Sequence, residues 1–303
     1  MLQLNINDEI SLLKAVVLGT AQSCGSVPKP EEAYDPKSLE HILAGTYPKE
    51  SDMIQEMEAF ATVLKKYDVK VFRPEVLQNC NQIFSRDIAF VIENKLILAN
   101  ILPDREKEID AILHVLDRIP EEDIIRPPEE VHVEGGDVMP WNDYIFMGTY
   151  TADDYSDQIT ARTNEAAVDF ISEQFPYKKI KSFELRKSKH ARENALHLDC
   201  CFQPIGKGKA ILHKNGFLIE DEYQWLVDFF GKENIFEITA DEMYHMFSNV
   251  FSISPEVIVS ERKFKRLNTW LRAQGFIVEE IPYAEIAKQE GLLRCSTLPL
   301  IRE

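Results

Sequence analysis

The sequence predicts an α/β fold in which one small supersecondary unit recurs around a ring or along a solenoid. Two observations carry this. Short apolar segments of strand pattern alternate with amphipathic segments of helical pattern. Hairpin, helix and strand then follow one another about every 50 to 60 residues, roughly five times and without repeated sequence, as a ring or solenoid requires. Residues 1–303 are read as one such domain.

Taken in order, 13–19 (LKAVVLG) is a buried-strand pattern that ends at Gly19. A helix is expected over 53–66, where Ile54, Met57, Ala61 and Leu64 fall at helical spacing. A short strand, 69–72, stops before Pro74. Segments 88–92 and 95–99 flank Glu93-Asn94 and read as a hairpin. A helix is expected over 106–118, with Ile109, Ile112 and Leu116 on one face, and a strand over 144–148. A helix over 164–175 turns Ala167, Phe170 and Ile171 inward. Segments 201–204 and 210–213 flank a Gly-Lys-Gly turn as a second hairpin, followed by a helix over 221–230. Segments 250–254 and 257–260 flank Pro255-Glu256 as a third. A helix over 263–274 is closed by Gly275, a C-cap residue, and a strand over 276–281 follows.

Bulk properties narrow the function. The 303 residues, 45% hydrophobic, suffice to bury a large core. With 12 Gly, 15 Pro and no biased tract, the chain lacks the composition of long disordered regions. A net charge of −17 argues against a nucleic-acid partner, which needs a basic patch, though not against a local pocket for a small anion. No apolar run reaches the roughly 18 residues of a membrane span. The N-terminal segment has no basic region followed by an apolar stretch, so no signal peptide is expected. The five cysteines are sparse and odd in number, which suits a reducing cytoplasm. No Cys-x-x-Cys or His-x-x-x-His spacing suggests a metal site, and no cofactor is expected. Self-association is left open.

The chemistry-bearing residues lie in four polar clusters: Phe84-Ser-Arg-Asp87, Glu134-Gly-Gly-Asp137, Leu196-His-Leu-Asp199 and, near the C-terminus, Arg294-Cys295. The first three immediately precede an apolar strand, and in a ring equivalent strand ends meet at one place. Cys295 is the candidate nucleophile. A cysteine attacks as its thiolate, and an ordinary thiol has a pKa of about 8.5. His197 is the candidate general acid and base. Glu134 is a candidate to orient His197 or to bind substrate, and Asp87 and Asp199 add two more carboxylates. Several buried carboxylates repel one another unless a cation sits among them. These clusters supply few, so the substrate is the natural cation, and a planar guanidinium pairs well with two carboxylates. Each piece also has an ordinary explanation: a cysteine packed in an apolar tail, a turn at Gly-Gly, a surface pair at Arg86-Asp87. Cys200 and Cys201 read as core, His132 and His245 as structural, and Asp153-Asp154 as a solvated loop.

Together the clusters resemble the guanidine-modifying superfamily of arginine deiminases, dimethylarginine dimethylaminohydrolases and arginine:glycine amidinotransferases. The matches run in family order from residue 84 to residue 302 and include the context Arg294-Cys-Ser-Thr-Leu-Pro-Leu-Ile-Arg302. The resemblance implies a fivefold pseudosymmetric α/β propeller of the pentein type, built from ββαβ units with the site on its axis. It implies that Cys295 attacks the guanidinium carbon and that His197 moves the protons. Glu134 completes the catalytic group, and Asp87, Asp199 and Asp137 are assigned to the substrate. Thr160-Ala-Arg-Thr-Asn164 is similar to a family segment whose arginine binds the substrate's carboxylate, which implies that role for Arg162. Residues 149–158 form an insertion before it. Arg105 resembles a second such arginine. The expected activity is hydrolysis of arginine or a derivative to a ureido product. Amidino transfer to an amine is the alternative, and a binding propeller or a cysteine protease fits the clusters less well.

Overall fold

The computed structural model describes residues 1–303. Its strands form five separate three-stranded sheets. Strands β1 (Leu13–Leu18), β2 (Lys70–Phe72) and β15 (Thr297–Arg302) form the first. The second holds β3 (Ala89–Ile92), β4 (Lys95–Leu98) and β5 (Ile124–Ile125), and the third holds β6 (Val138–Trp141), β7 (Tyr144–Thr149) and β8 (Lys179–Glu184). In the fourth are β9 (Phe202–Ile205), β10 (Lys209–Leu212) and β11 (Ile235–Glu237), and in the fifth β12 (Phe251–Ser252), β13 (Val257–Glu261) and β14 (Ile277–Ile281).

Every sheet repeats one plan. A central strand pairs antiparallel with one neighbour and parallel with the other, as β4 does with β3 and β5. The parallel partner is reached through a helical crossover, as parallel pairing demands. The result is a fivefold pseudosymmetric α/β propeller of ββαβ units. Ring closure comes from the C-terminus: β15 pairs antiparallel with β1, Leu18 opposite Thr297 and Leu13 opposite Arg302. The tail that carries Cys295 is therefore a sheet strand, and the chain's two ends share the first blade.

The crossover helices are specified locally. Helix Glu50–Lys66 buries Met53, Met57, Phe60, Ala61 and Leu64, with Glu50 and Asp52 in its first turn and Lys65 and Lys66 in its last, complementing the helix dipole. Asp35 caps helix Pro36–Leu43, accepting from the Ser38 amide at 2.6 Å, and Pro36 takes the first turn. The continuous helix expected over 106–118 is not formed. The chain makes a 3₁₀ turn at Pro103–Arg105 and two short helices, Lys107–Asp110 and Leu113–Leu116. The Ala111 carbonyl at the break accepts from the Glu75 amide at 2.8 Å, so a tertiary donor holds the backbone there.

Apolar side chains form one cluster of 50 buried residues and two smaller ones, of 18 and 11, between sheets and helices. The core thus follows the ring. At its centre are buried polar groups, among them Asp87, Glu134, Asp199 and Arg294. No helix is long and apolar enough to cross a membrane.

Candidate active site

The first three polar clusters fold alike, as a short helical turn ahead of a hairpin strand: Ser85–Ile88 before β3, Gly135–Asp137 before β6 and Leu198–Cys200 before β9. Arg294-Cys295 holds the same position before β15. These strand ends meet as the repeat anticipates. The Arg86 amide donates to the Cys295 carbonyl at 3.0 Å, and the Leu198 amide donates to Asp137 Oδ1 at 2.8 Å. The paired glycines are there for want of space. A Cβ on Gly135 would stand 2.1 Å from the Arg86 carbonyl oxygen, and one on Gly136 would stand 2.7 Å from the His197 ring.

A cleft of about 1020 Å³ opens onto this centre, lined by Asp87, Arg105, Arg162, His197 and Cys295. Glu134, Asp137 and Asp199 lie behind that lining and are fully buried. Glu134 Oε2 bonds His197 Nε2 at 2.7 Å, and His197 Nδ1 lies 4.0 Å from Asp87 Oδ1. Burial alone would lower the pKa of His197. The carboxylates of Asp87 and Asp137 and the hydrogen bond to Glu134 outweigh it and raise it to about 9. His197 is thus an imidazolium at neutral pH. Burial works against the Glu134 carboxylate as well, but Arg162 and His197 hold its pKa well below the usual range. Asp87 and Asp137 are pushed up, chiefly by burial.

Cys295 is held from below. Its amide donates to Asn249 Oδ1 and its Sγ accepts from Asn249 Nδ2, both at 3.1 Å. Its Sγ also lies 3.5 Å from Asp199 Oδ2. Burial, then the charges of Asp199 and Asp87, push the thiol pKa well up, so the group is a thiol in the free protein. An added cation above it favours the thiolate.

The expectation that the clusters supply few cations is corrected. Arg105 Nη1 donates to Asp87 Oδ2 at 3.0 Å, while its Nε and Nη2 fork onto Glu108 at 2.8 and 2.9 Å. Arg162 Nη1 donates to both oxygens of Glu134, at 3.1 and 3.0 Å. Arg294 forks onto Glu9 at 3.1 and 3.0 Å and donates to Asp199 Oδ2 at 2.8 Å. Asp87, Glu134 and Asp199 are therefore each paired with an arginine, which offsets the cost of burying their charge. Asp137 is corrected too: it accepts from Thr163 Oγ1 at 2.7 Å and from the Leu198 amide, and so fixes the turn beneath His197 rather than facing the cleft. Asp153 and Asp154 lie in a loop as expected, with Asp153 exposed, but Asp154 is also tied down. It pairs with His132 Nδ1 at 2.7 Å, and Tyr155 stacks on that ring with centroids 4.1 Å apart. The inserted segment is thereby pinned, and Arg162 still reaches the cleft.

Asp87, Glu134 and His197 offer donor atoms within 4.8 Å of one another, a spacing a metal ion could bridge. The protonated imidazole and two guanidiniums already compensate these carboxylates, so a divalent cation would have to displace them. Two residues of the centre escaped the sequence reading. Glu9 lies in an unpatterned N-terminal stretch. Asn249 had a signal: it precedes the hairpin of the fifth sheet as Asp87, Asp137 and Asp199 precede theirs.

The profile of the family described as N,N dimethylarginine dimethylhydrolase, eukaryotic, matches residues 47–302. The chain belongs to that family. This places it among the guanidine-modifying enzymes, as the four clusters suggested. It is similar to the uncharacterized protein YkgA of Bacillus subtilis, 29% identical over 222 residues that span 73% of this chain and 70% of YkgA. It is also similar to arginine deiminase of Listeria monocytogenes, 24% identical over 263 residues, 74% of this chain and 62% of the deiminase. Two solved structures share this family member's fold at a TM-score of 0.77. One is the N-terminal domain of ArgZ, a cyanobacterial arginine dihydrolase, at 15% identity over 95% of this chain and 97% of that one. The other is SxtG, an amidinotransferase from Microseira wollei, at 17% identity over 99% and 97%.

Proposed function

We propose that the protein is a cysteine-dependent hydrolase of arginine or an arginine derivative that releases a ureido product. The observation that carries this is the cleft floor, where a thiol and an imidazolium share one lining with a carboxylate oxygen, Asp87 Oδ1, that has no hydrogen-bond partner. That arrangement suits a planar cation seated over a sulfur. Asp87 accepts from the guanidinium. The incoming charge lowers the thiol pKa, and the Cys295 proton leaves to solvent. The sulfur attacks the guanidinium carbon, and His197 gives its proton to the departing nitrogen as the C–N bond breaks. A covalent thiouronium remains. Neutral His197 then takes a proton from water, and the hydroxide adds to the same carbon. The C–S bond breaks to return the thiolate, the remaining hydroxyl proton passes to solvent, and the ureido compound is released. Glu134 orients His197 and stabilises its charge, and Arg162 in turn holds Glu134. Asp199 and Asn249 support the sulfur from beneath. We assign residues 1–303 to one working unit, because the strand after Cys295 completes the blade begun by β1.

An amidino transfer, with an amine in place of water, is the second reading. It is favoured by the size of the cleft, which at about 1020 Å³ exceeds what a single guanidino compound fills. The deciding experiment incubates the protein with arginine, methylarginines, agmatine and guanidinoacetate, with and without glycine, followed by mass spectrometry. A ureido product supports hydrolysis. A new guanidino compound that requires the amine supports transfer. No conversion by the wild type, with no covalent adduct on Cys295, refutes both. Cys295→Ser is expected to abolish turnover.

A further inference from the structure

The far end of the cleft says more about the substrate than its floor does. The family resemblance gives Arg162 and Arg105 to a substrate carboxylate. In this chain both are already engaged by protein groups. Every guanidinium nitrogen of both already donates to a protein acceptor. Arg162 Nε bonds the Ile159 carbonyl at 2.6 Å, its Nη2 the Tyr34 carbonyl at 2.9 Å, and its Nη1 Glu134. Arg105 is divided between Glu108 and Asp87. The remaining lysine or arginine of the lining, Lys49, is exposed at the rim. A carboxylate entering the cleft would meet buried guanidiniums whose charge is already offset by Glu134, Glu108 and Asp87.

The opposite charge is in surplus. Eight carboxylate residues line the cleft against three lysines and arginines. One of the eight stands out. Glu290 is only 5% exposed, lines the cleft, and its Oε2 has no hydrogen-bond partner, while Oε1 accepts from Asn194 Nδ2 at 2.8 Å. Asp35, also in the lining, is hydrogen-bonded to it; burial, then the charge of Asp35 and that bond, drive the Glu290 pKa well up, so that the pair holds a proton in the free protein. The nearby cation Lys37 does not fill this need. Its ammonium donates to the Tyr244 carbonyl and sits 4.6 Å over the Tyr244 ring. Glu290 and Asp35 thus form a second buried carboxyl site, five residues in sequence from the nucleophile Cys295.

We propose that Glu290, with Asp35, receives an ammonium group at the far end of the substrate, so that the substrate is an alkylguanidine carrying a second amine and no carboxylate. This rests on the guanidine reading of Cys295, His197 and Asp87. The two ends of the cleft then use the same logic: a buried carboxyl group with an oxygen that no protein cation reaches, Asp87 Oδ1 or Glu290 Oε2, receives each end of a dication. The ammonium displaces the proton held between Glu290 and Asp35 and forms a charge-assisted bond, the stronger kind, and the lack of an uncommitted buried cation discriminates against an amino acid.

The test compares consumption of agmatine, arginine and butylguanidine by the wild-type protein. Agmatine is expected to exceed each of the others at least 10-fold in kcat/KM. Arginine equal to or better than agmatine overturns the proposal, as does butylguanidine as good as agmatine. Glu290→Gln, with its melting temperature checked, is expected to cost agmatine at least 10-fold, mainly in KM, and butylguanidine much less. An equal loss for both makes Glu290 structural and overturns the assignment. Consumption of methylarginines or guanidinoacetate but not of agmatine overturns the ammonium site alone, whereas no conversion of any of these guanidines, with no covalent adduct on Cys295, refutes the guanidine reading itself.

Discussion

Replacing Arg162 by alanine separates two roles for this residue. The resemblance assigns it to the substrate's carboxylate; the structure joins it to Glu134 at 3.0 and 3.1 Å, with both side chains 1% exposed. Removing one partner of a buried pair leaves the other uncompensated, at a cost of about 3–5 kcal/mol, or on the order of 10 °C in Tm for a chain of this size. The consequence reaches the chemistry. Arg162 is the foremost of the groups that keep Glu134 ionised, and Glu134 helps keep His197 protonated. With general acid catalysis contributing about 10²–10⁴-fold, kcat is expected to fall roughly 10²-fold for arginine and agmatine alike. The assay is steady-state kinetics on both compounds, with thermal unfolding of the same samples. A double variant, Arg162→Met with Glu134→Gln, should be more stable than the sum of the single changes allows, because both charges go together. An unchanged kcat, with KM raised only for carboxylate-bearing substrates, would refute the argument and restore the carboxylate role.

Gly136→Ala places a Cβ 2.7 Å from the His197 ring, so it should displace the imidazole and cut kcat by roughly 10²-fold, and a variant of near wild-type kcat would count against His197 as the proton carrier. The His197 pKa is raised in the folded state, from 6.5 to about 9, so its contribution is complete below 6.5 and is lost as pH rises through 9. Unfolding measured from pH 6 to 10 should therefore show the wild type losing up to about 3 kcal/mol relative to His197→Gln, and parallel curves would contradict the charged imidazole. Because burial keeps Cys295 a thiol, the cationic alkylator 2-chloroacetamidine should label it at least 10-fold faster at pH 7 than neutral 2-chloroacetamide, whereas equal rates would mean that no cation is needed to activate the sulfur.

Much of this centre is written in local pattern. The strands around Glu93-Asn94, Gly206-Lys-Gly208 and Pro255-Glu256 form the hairpins their alternation with turn residues suggests. The segment after Cys295, apolar with a proline, becomes a buried strand. The four polar clusters converge because each stands at the same place in its repeat. The helix over 106–118 fails for a reason no window of sequence contains: its carbonyl at Ala111 is claimed by Glu75, from the segment after β2.

The charges mark the clearer division. The sequence by itself determined the repeating unit, the strand ends and the residue types gathered there, since these depend on neighbours a few positions away. Only the tertiary structure decided which charge meets which. Glu9 and Arg294, 285 residues apart, become partners where β15 closes the ring against β1, and Arg162 meets Glu134, 28 residues away, beside the third sheet. A carboxylate excluded from water must find a cation or neutral donors within hydrogen-bond reach, or hold a proton, wherever in the chain those partners lie. That requirement commits the arginines to the protein, and leaves Asp87 and Glu290 facing the cleft.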